Sequence, residues 1–456
     1  MRLIGWRWLA TSSLLLATLA IHAETRAQYG GTLHVAMRAA PASLDPVESG
    51  QTDSFAQRSV TLLIFETLVA ADDNGHIHGV LAASWQATPD NKRWQFHLRR
   101  GVRFDDGTML TADPAAASLR TANPSWKVSA DGDSVVIECD NPDPNLLAEI
   151  ALPRNAIAKR NPDRLSGTGP FHVVDWQPGK KLTLAAAEDY WRARPFLDSV
   201  EIEMGRSFRD QWTALELGHA DLVEVAPEQT HRVLIEGRRL VNSAPVELVG
   251  LVFARDAQSP EEKSLREALA LSVERTSMRS VLLQGAGQAA GGVLPNWMNG
   301  YGFVFSTEAD LARARHVREQ ARKSSTWTLG YDASDGVSRL LADRIALNAK
   351  DAGLSLQPTS ATTTDLRLMR IPLDSADPWI VLGEVSAICG MSAVSSQTGT
   401  IEDLYAAEQK LLATQRIIPL FHLPVSFAAA ATVKSWSVRA NGTLSLADAW
   451  IGSGKP

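Results

Sequence analysis

Through residues 94–99 apolar and polar side chains alternate, with Trp94, Phe96 and Leu98 set against Gln95, His97 and Arg99, which places the first three on one face of a strand. Trp85 lies in the run before them and Pro89-Asp90-Asn91 falls between, so residues 83–98 predict strand, turn and returning strand. Val102 and Phe104 continue the alternation, and Asp105-Asp106-Gly107 supplies turn chemistry; a further strand is predicted there.

Elsewhere the spacing switches between the two periods. TLHVAM from Thr32 reads as a strand that Pro41 and Pro46 separate from VTLLIFETLV, whose apolar residues fall at helical spacing. Gly218 ends a predicted helix and Asp221 opens a strand. VGLVFA from Val249 is an apolar strand, and Ser259-Pro260-Glu261-Glu262 combines an N-cap serine, proline at the first helical position and glutamate at the capping-box position. That helix runs through Leu265, Ala268, Leu269 and Val273. TWTLGY, then RLLADRIALNAKDAG closed by Gly353, then LSLQ form strand, helix and strand, a unit that needs a right-handed crossover and a parallel pair. This part of the chain is therefore α/β. A helix running into an apolar strand with Pro419 and Pro424 follows in LYAAEQKLLATQRIIPLFHLPVSFAAA.

The first residues stand apart. Arg2 and Arg7 precede LATSSLLLATLAIHA, too short to span a bilayer comfortably, and small residues follow at Ala23 and Ala27. This predicts a secretory signal peptide over residues 1–27, cleaved after one of those alanines, with no cysteine nearby for a lipid anchor. A soluble, exported, periplasmic protein is expected. At 456 residues, 45% hydrophobic and 21% charged, the chain calls for about three domains or two large lobes. The net charge of −6 and the lack of a long basic run argue against a nucleic-acid partner. Cys139 and Cys389 are the two cysteines; export permits a disulfide, and two buried unpaired thiols are the alternative. His76-x-His78 is the closest histidine pair and no CxxC occurs, so a surface turn is favoured over a metal site.

The string at 83–113, ASWQATPDNKRWQFHLRRGVRFDDGTMLTAD, closely resembles a signature of the extracytoplasmic solute-binding proteins of family 5, which bind peptides, nickel chelates and related solutes for ABC importers. Similar matches occur at Leu44-Asp45-Pro46, Phe65-Glu66-Thr67-Leu68, Gly167-Thr168-Gly169-Pro170-Phe171, Tyr190-Trp191 and Arg266-x-Ala268-Leu269. His78 departs from the usual proline, the match is weak at 114–166 and 380–400, and Pro114 interrupts the Ala-Asp position that normally begins a helix. The resemblance implies an α/β, two-lobed periplasmic binding protein of the class II, Venus-flytrap type with a hinge. Residues 28–248 plus 425–456 would form the first lobe, with an accessory subdomain trimmed over 114–166, and 249–424 the second.

Catalytic motifs are missing: no GxSxG elbow, HExxH helix or GxxxxGK[ST] loop occurs, and Gly285-x-Gly287 follows a helix rather than a strand. No cofactor and no enzymatic activity are expected. The resemblance points instead to Ile371–Pro378. In peptide-binding members a similar Trp-x-x-Asp-x-x-acid-Pro segment lines the cleft, its backbone pairs with the extended ligand and its first Asp neutralises the ligand's amino terminus. Asp374 matches that Asp, Asp377 the second acid and Pro378 the proline, with Leu373 between; an Asx turn before Pro378 is the alternative for both acids. Ile371 stands where peptide binders have Trp, and Pro372 has no N–H for a main-chain bond. Arg38, after the first strand, is a candidate for a ligand carboxylate, and Trp297 for an apolar ligand part. The implied function is the solute-binding component of an ABC importer. It would take a short peptide or another small amine-bearing solute and pass it, as a monomer, to the membrane permease. The alternative is a transport-inactive sensor or scaffold that kept the fold.

Overall fold

The computed structural model describes residues 26–47, 54–162, 164–321, 326–373, 375–391 and 399–452. The predicted signal peptide lies almost wholly outside them. One sheet runs through the whole molecule. Its order is Phe171–Gln177, Lys181–Ala186, Ser199–Glu203, Thr32–Ala36, Leu222–Glu224, Ile417–Ala429, Arg239–Phe253, Leu366–Pro372, Thr326–Gly330 and Ser355–Thr359.

Two core clusters mark the two lobes. The first gathers Leu33, Ile64, Phe65, Phe171, Val200, Phe427 and Trp436, the second Leu251, Phe253, Leu269, Trp327, Ile345 and Phe421. The long antiparallel strands Arg239–Phe253 and Ile417–Ala429 carry the chain between them, and their register shifts around Pro245, which stands opposite Pro424. Neither proline has an N–H to donate, so the ladder is interrupted where the lobes meet.

A third cluster, with Leu68, Phe96, Val102, Phe104, Leu119 and Ile137, belongs to a four-stranded sheet ordered Ala82–Ala87, Arg93–Leu98, Ser134–Glu138 and Lys127–Asp131. The predicted hairpin is present, with Trp85 paired to Phe96 and Asn91 at φ 52° in the turn. Val102 and Phe104 are buried as their pattern implies, but their segment is a turn with a single bridge, Arg103 to Met109, and not a strand. Pro114 does not interrupt the next helix. Ala112–Ala122 carries it in the first turn, where a missing N–H costs nothing because those donors have no acceptor within the helix.

Other local readings hold in part. Ser259 caps Pro260–Ser272, its hydroxyl accepting from the Glu262 N–H at 3.2 Å. The Glu262 carboxylate does not close the capping box and instead takes Arg266 at 2.6 Å and the Gln258 N–H at 3.0 Å. Thr326–Gly330 and Ser355–Thr359 pair in parallel around the helix Gly336–Asp351, the parallel pair expected of a strand, helix and strand unit. Both cysteines are unpaired thiols.

Glu66 ties separate motifs together. Its carboxylate accepts from Thr168 Oγ1 at 3.0 Å, Tyr190 Oη at 2.8 Å and Trp191 Nε1 at 2.8 Å. Glycine is required beside it: a Cβ on Gly167 would stand 1.9 Å from the Ile64 carbonyl oxygen.

Candidate ligand-binding cleft

Two cavities lie between the lobes. The larger, about 580 Å³, has Arg38, Phe208 and Glu224 on one wall and Asp332 with the strand Leu366–Pro372 on the other, while Glu247 of the crossing strand forms its floor. The smaller, about 410 Å³, is bounded by Ile77, Leu152, Trp297, Leu373 and Asp377.

Backbone direction along Leu366–Pro372 follows from its antiparallel ladder with Arg239–Phe253. The Leu373 N–H donates to Val246 O at 2.8 Å and the Ala254 N–H to Asp365 O at 2.9 Å. Alternation then turns the polar groups of Leu368, Arg370 and Pro372 away from that partner. The strand on their side, Thr326–Gly330, stops pairing at Gly330 opposite Arg367. From Arg370 to Pro372 this edge is therefore open, and the residues that form it line the larger cavity.

Charges around that edge are paired within the protein. Arg370 donates to Glu247 at 2.5 and 2.9 Å and to Asp335 at 3.1 Å. Although burial opposes ionisation of Asp335, Arg370 beside it holds its carboxyl below the ordinary range. Arg38 stands 3.7 Å from Asp332 and lies 4.6 Å from the centre of the Phe208 ring. Its N–H is donated to Glu224, which also accepts from Gln211 Nε2 at 3.1 Å. Burial pushes the Glu224 carboxyl up. A second ion pair joins the lobes: Arg154, held by Glu149, reaches Glu384 at 2.6 Å.

The residues singled out in the sequence are distributed over both cavities. Arg38 faces the larger; Leu373, Asp377 and Trp297 line the smaller. Asp374 lies outside the described residues. Ile371 and Leu373 are 2% and 1% exposed and pack in a core cluster with Leu248, Val381 and Leu404. The Ile371 side chain is thus a packing group, on the opposite face of the strand from Arg370 and Pro372, which line the larger cavity. Asp377 caps the helix Pro378–Ile388, accepting from the Trp379 N–H at 2.8 Å, which is the turn reading of this acid. Glu224, Glu247, Asp335 and Arg370 went unrecognised because they come from separate segments with no shared spacing. Among the described residues no group of three or more His, Cys, Asp or Glu is arranged to hold a metal, and no helix is long and apolar enough to cross a membrane.

Trp297 donates to Pro245 O at 2.9 Å and sits in the short helix Asn296–Asn299, whose entry is held by Glu408. The Glu408 carboxylate accepts from the N–H groups of Val293 and Leu294 and from the Tyr301 hydroxyl; burial pushes it from 4.5 up to about 7. Burial also lowers the neighbouring His422, whose Nε2 meets Val293 O at 2.9 Å, from 6.5 to about 4. Between pH 4.5 and about 7 the folded chain keeps a proton on Glu408 that the unfolded chain has lost, so its contribution to stability falls as pH rises. His422 has the opposite slope between about 4 and 6.5, because only the unfolded chain protonates there. Above 6.5 His422 no longer contributes, and of the two groups only Glu408 still titrates. Glu408→Gln, which keeps the carbonyl acceptor, is expected to flatten that loss and to melt higher than the parent at pH 8. Unfolding curves that stay parallel across pH 6 to 8 would contradict it.

The model of the bacterial extracellular solute-binding proteins, family 5 Middle, matches residues 76–371. Protein XP55 of Streptomyces lividans is 27% identical over 337 residues, covering 66% of this chain and 62% of its own length. The probable D,D-dipeptide-binding periplasmic protein DdpA of Escherichia coli (strain K12) is 24% identical over 65% of this chain and 61% of its own. The chain thus spans about three-fifths of the length of these curated relatives. Among solved structures, NikA from Staphylococcus aureus in complex with Ni(L-His)2 superposes with a TM-score of 0.80 at 18% identity, covering 92% of this chain and 99% of the other. The periplasmic binding protein DppA from Helicobacter pylori in complex with peptide STSA does so with 0.80 at 18%, over 93% and 99%. At these identities the likeness shows the fold, a two-lobed α/β binding-protein architecture.

Proposed function

We propose, for a chain that belongs to the bacterial extracellular solute-binding proteins of family 5, that it is the solute-binding component of an ABC importer and holds a short peptide or other small amine-bearing solute between its lobes. The observation that carries this reading is the open backbone edge at Arg370–Pro372 inside a cavity walled by both lobes. Strand addition there supplies affinity through main-chain bonds, and few side chains need to be read. The interrupted ladder at Pro245 and Pro424 is a natural bending point, with the lobes divided at 248/249 and 424/425, and ligand bound between them favours the closed form. Asp374 is the proposed anchor for the amine, and Trp297, which lines the smaller cavity, the proposed contact for an apolar part. Permease subunits would read the closed form.

Ligand at about 100 times its Kd is expected to stabilise the protein by about 2.7 kcal/mol. It should also reduce the radius of gyration in solution scattering as the lobes close. A ligand that shifts melting with no change in scattering would separate binding from hinge closure and contradict the second half of the proposal.

A further inference from the structure

One contact between the lobes is built around a single guanidinium. Arg154 lies in the short turn Pro153–Asn155 of the first lobe. Glu149 of the same lobe grips its Nε at 3.2 Å and its Nη2 at 2.9 and 3.0 Å. The Nη1 group reaches across to Glu384 Oε1, on the second-lobe helix Pro378–Ile388, at 2.6 Å. A planar fork held on one edge by its own lobe is preorganised for a partner on the other, so little side-chain freedom is lost when the lobes meet. The elements that carry the pair also wall the smaller cavity, through Leu152, Pro153 and Pro378.

The acids nearby repel across the same gap. Asp143 and Glu149 of the first lobe act against Asp377 of the second, and Glu149 acts against Glu384. Arg154 answers that repulsion in direct contact, and Arg58, on the first-lobe helix Phe55–Ile64, adds to the attraction on Glu384. The other ion pair between the lobes, Arg38 with Asp332, is longer at 3.7 Å, and its acid is 55% exposed against 26% for Glu384. Water competes more strongly there, so Arg154 with Glu384 is the stronger tie.

We infer that Arg154 and Glu384 form a latch between the lobes, which raises the closed fraction of the ligand-free protein before any solute completes closure. The inference rests on the hinge of the proposed solute-binding reading and adds a contact that no ligand makes. A closed form populated in advance raises the apparent affinity for every solute by the same factor, whatever its chemistry.

Solution scattering of the ligand-free protein, fitted as a mixture of closed and open forms, tests it. Glu384→Gln is expected to lower the closed-to-open ratio roughly fivefold, the scale of a part-exposed ion pair, and so to enlarge the radius of gyration. Arg154→Met is expected to open the protein further, because the acids of the two lobes are then left opposed. The double variant is expected to be no more open than Arg154→Met alone, since the contact is already gone. Glu203→Gln, which breaks an ion pair with Arg206 inside the first lobe, is expected to keep the parent's radius. Glu384→Gln changes shape least and carries the test by itself should Arg154→Met fail to fold. A radius in Glu384→Gln equal to the parent's overturns the latch, and so does a double variant that opens by the sum of the two singles. Because no ligand enters the measurement, either result leaves the solute-binding role standing.

Discussion

Arg370→Met is expected to destabilise the protein by about 3–5 kcal/mol, the cost of breaking a buried ion pair from one side. The guanidinium is the partner of two carboxylates, Glu247 at 2.5 Å and Asp335 at 3.1 Å. Asp335 is 2% exposed and Glu247 is partly buried, its side chain 12% exposed. Methionine fills much of the volume but leaves the buried Asp335 and the cavity-lining Glu247 without a cation. Denaturant midpoints measure the effect, and a double-mutant cycle with Glu247→Gln separates the pair from the packing. With Glu247 already neutral, the cost of losing Arg370 should shrink by more than half. A loss below about 1 kcal/mol in the single variant would mean that the pair is solvated as a surface ion pair is.

Glu66→Ala is expected to cost at least about 3 kcal/mol, because Thr168, Tyr190 and Trp191 lose their shared acceptor together, at about 1–3 kcal/mol for each donor left dry. Burial already pushes the Glu66 carboxyl up, so the neutral isostere in Glu66→Gln should cost much less than alanine. Thermal unfolding ranks the two variants, and tryptophan fluorescence reports whether Trp191 has moved. Equal losses for alanine and glutamine would show that the acceptor geometry matters less than the charge.

Local chemistry was legible where it is short in range. The hairpin at 82–98, the Ser259 cap and the parallel unit around residues 336–351 each follow from a pattern within a few turns of chain. The turn at Val102–Phe104 misled because buried alternation looks the same with or without a partner strand. Pro114 misled because a proline's effect depends on its place in the helix, and here the helix begins at Ala112, two residues before it. Asp377-Pro378 carried a readable helix start, an acid before a proline, which the cleft reading subordinated to ligand contact. The rest of the charged edge had no such signal: Glu224, Glu247 and Arg370 lie on strands joined only by the sheet order, and Asp335 caps the helix beside them. Ile371 shows the converse, since the segment faces the cavity through its backbone while the side chain packs inward.

Native mass spectrometry of the protein as purified from its exporting host tests the central claim most directly. The account predicts a fraction of molecules carrying one small molecule, released on gentle activation and returned by adding that compound to the stripped protein. Protein that is wholly ligand-free, and whose melting no peptide, dipeptide or metal-chelate library shifts, would contradict it and fit a scaffold that kept the binding-protein fold without the binding.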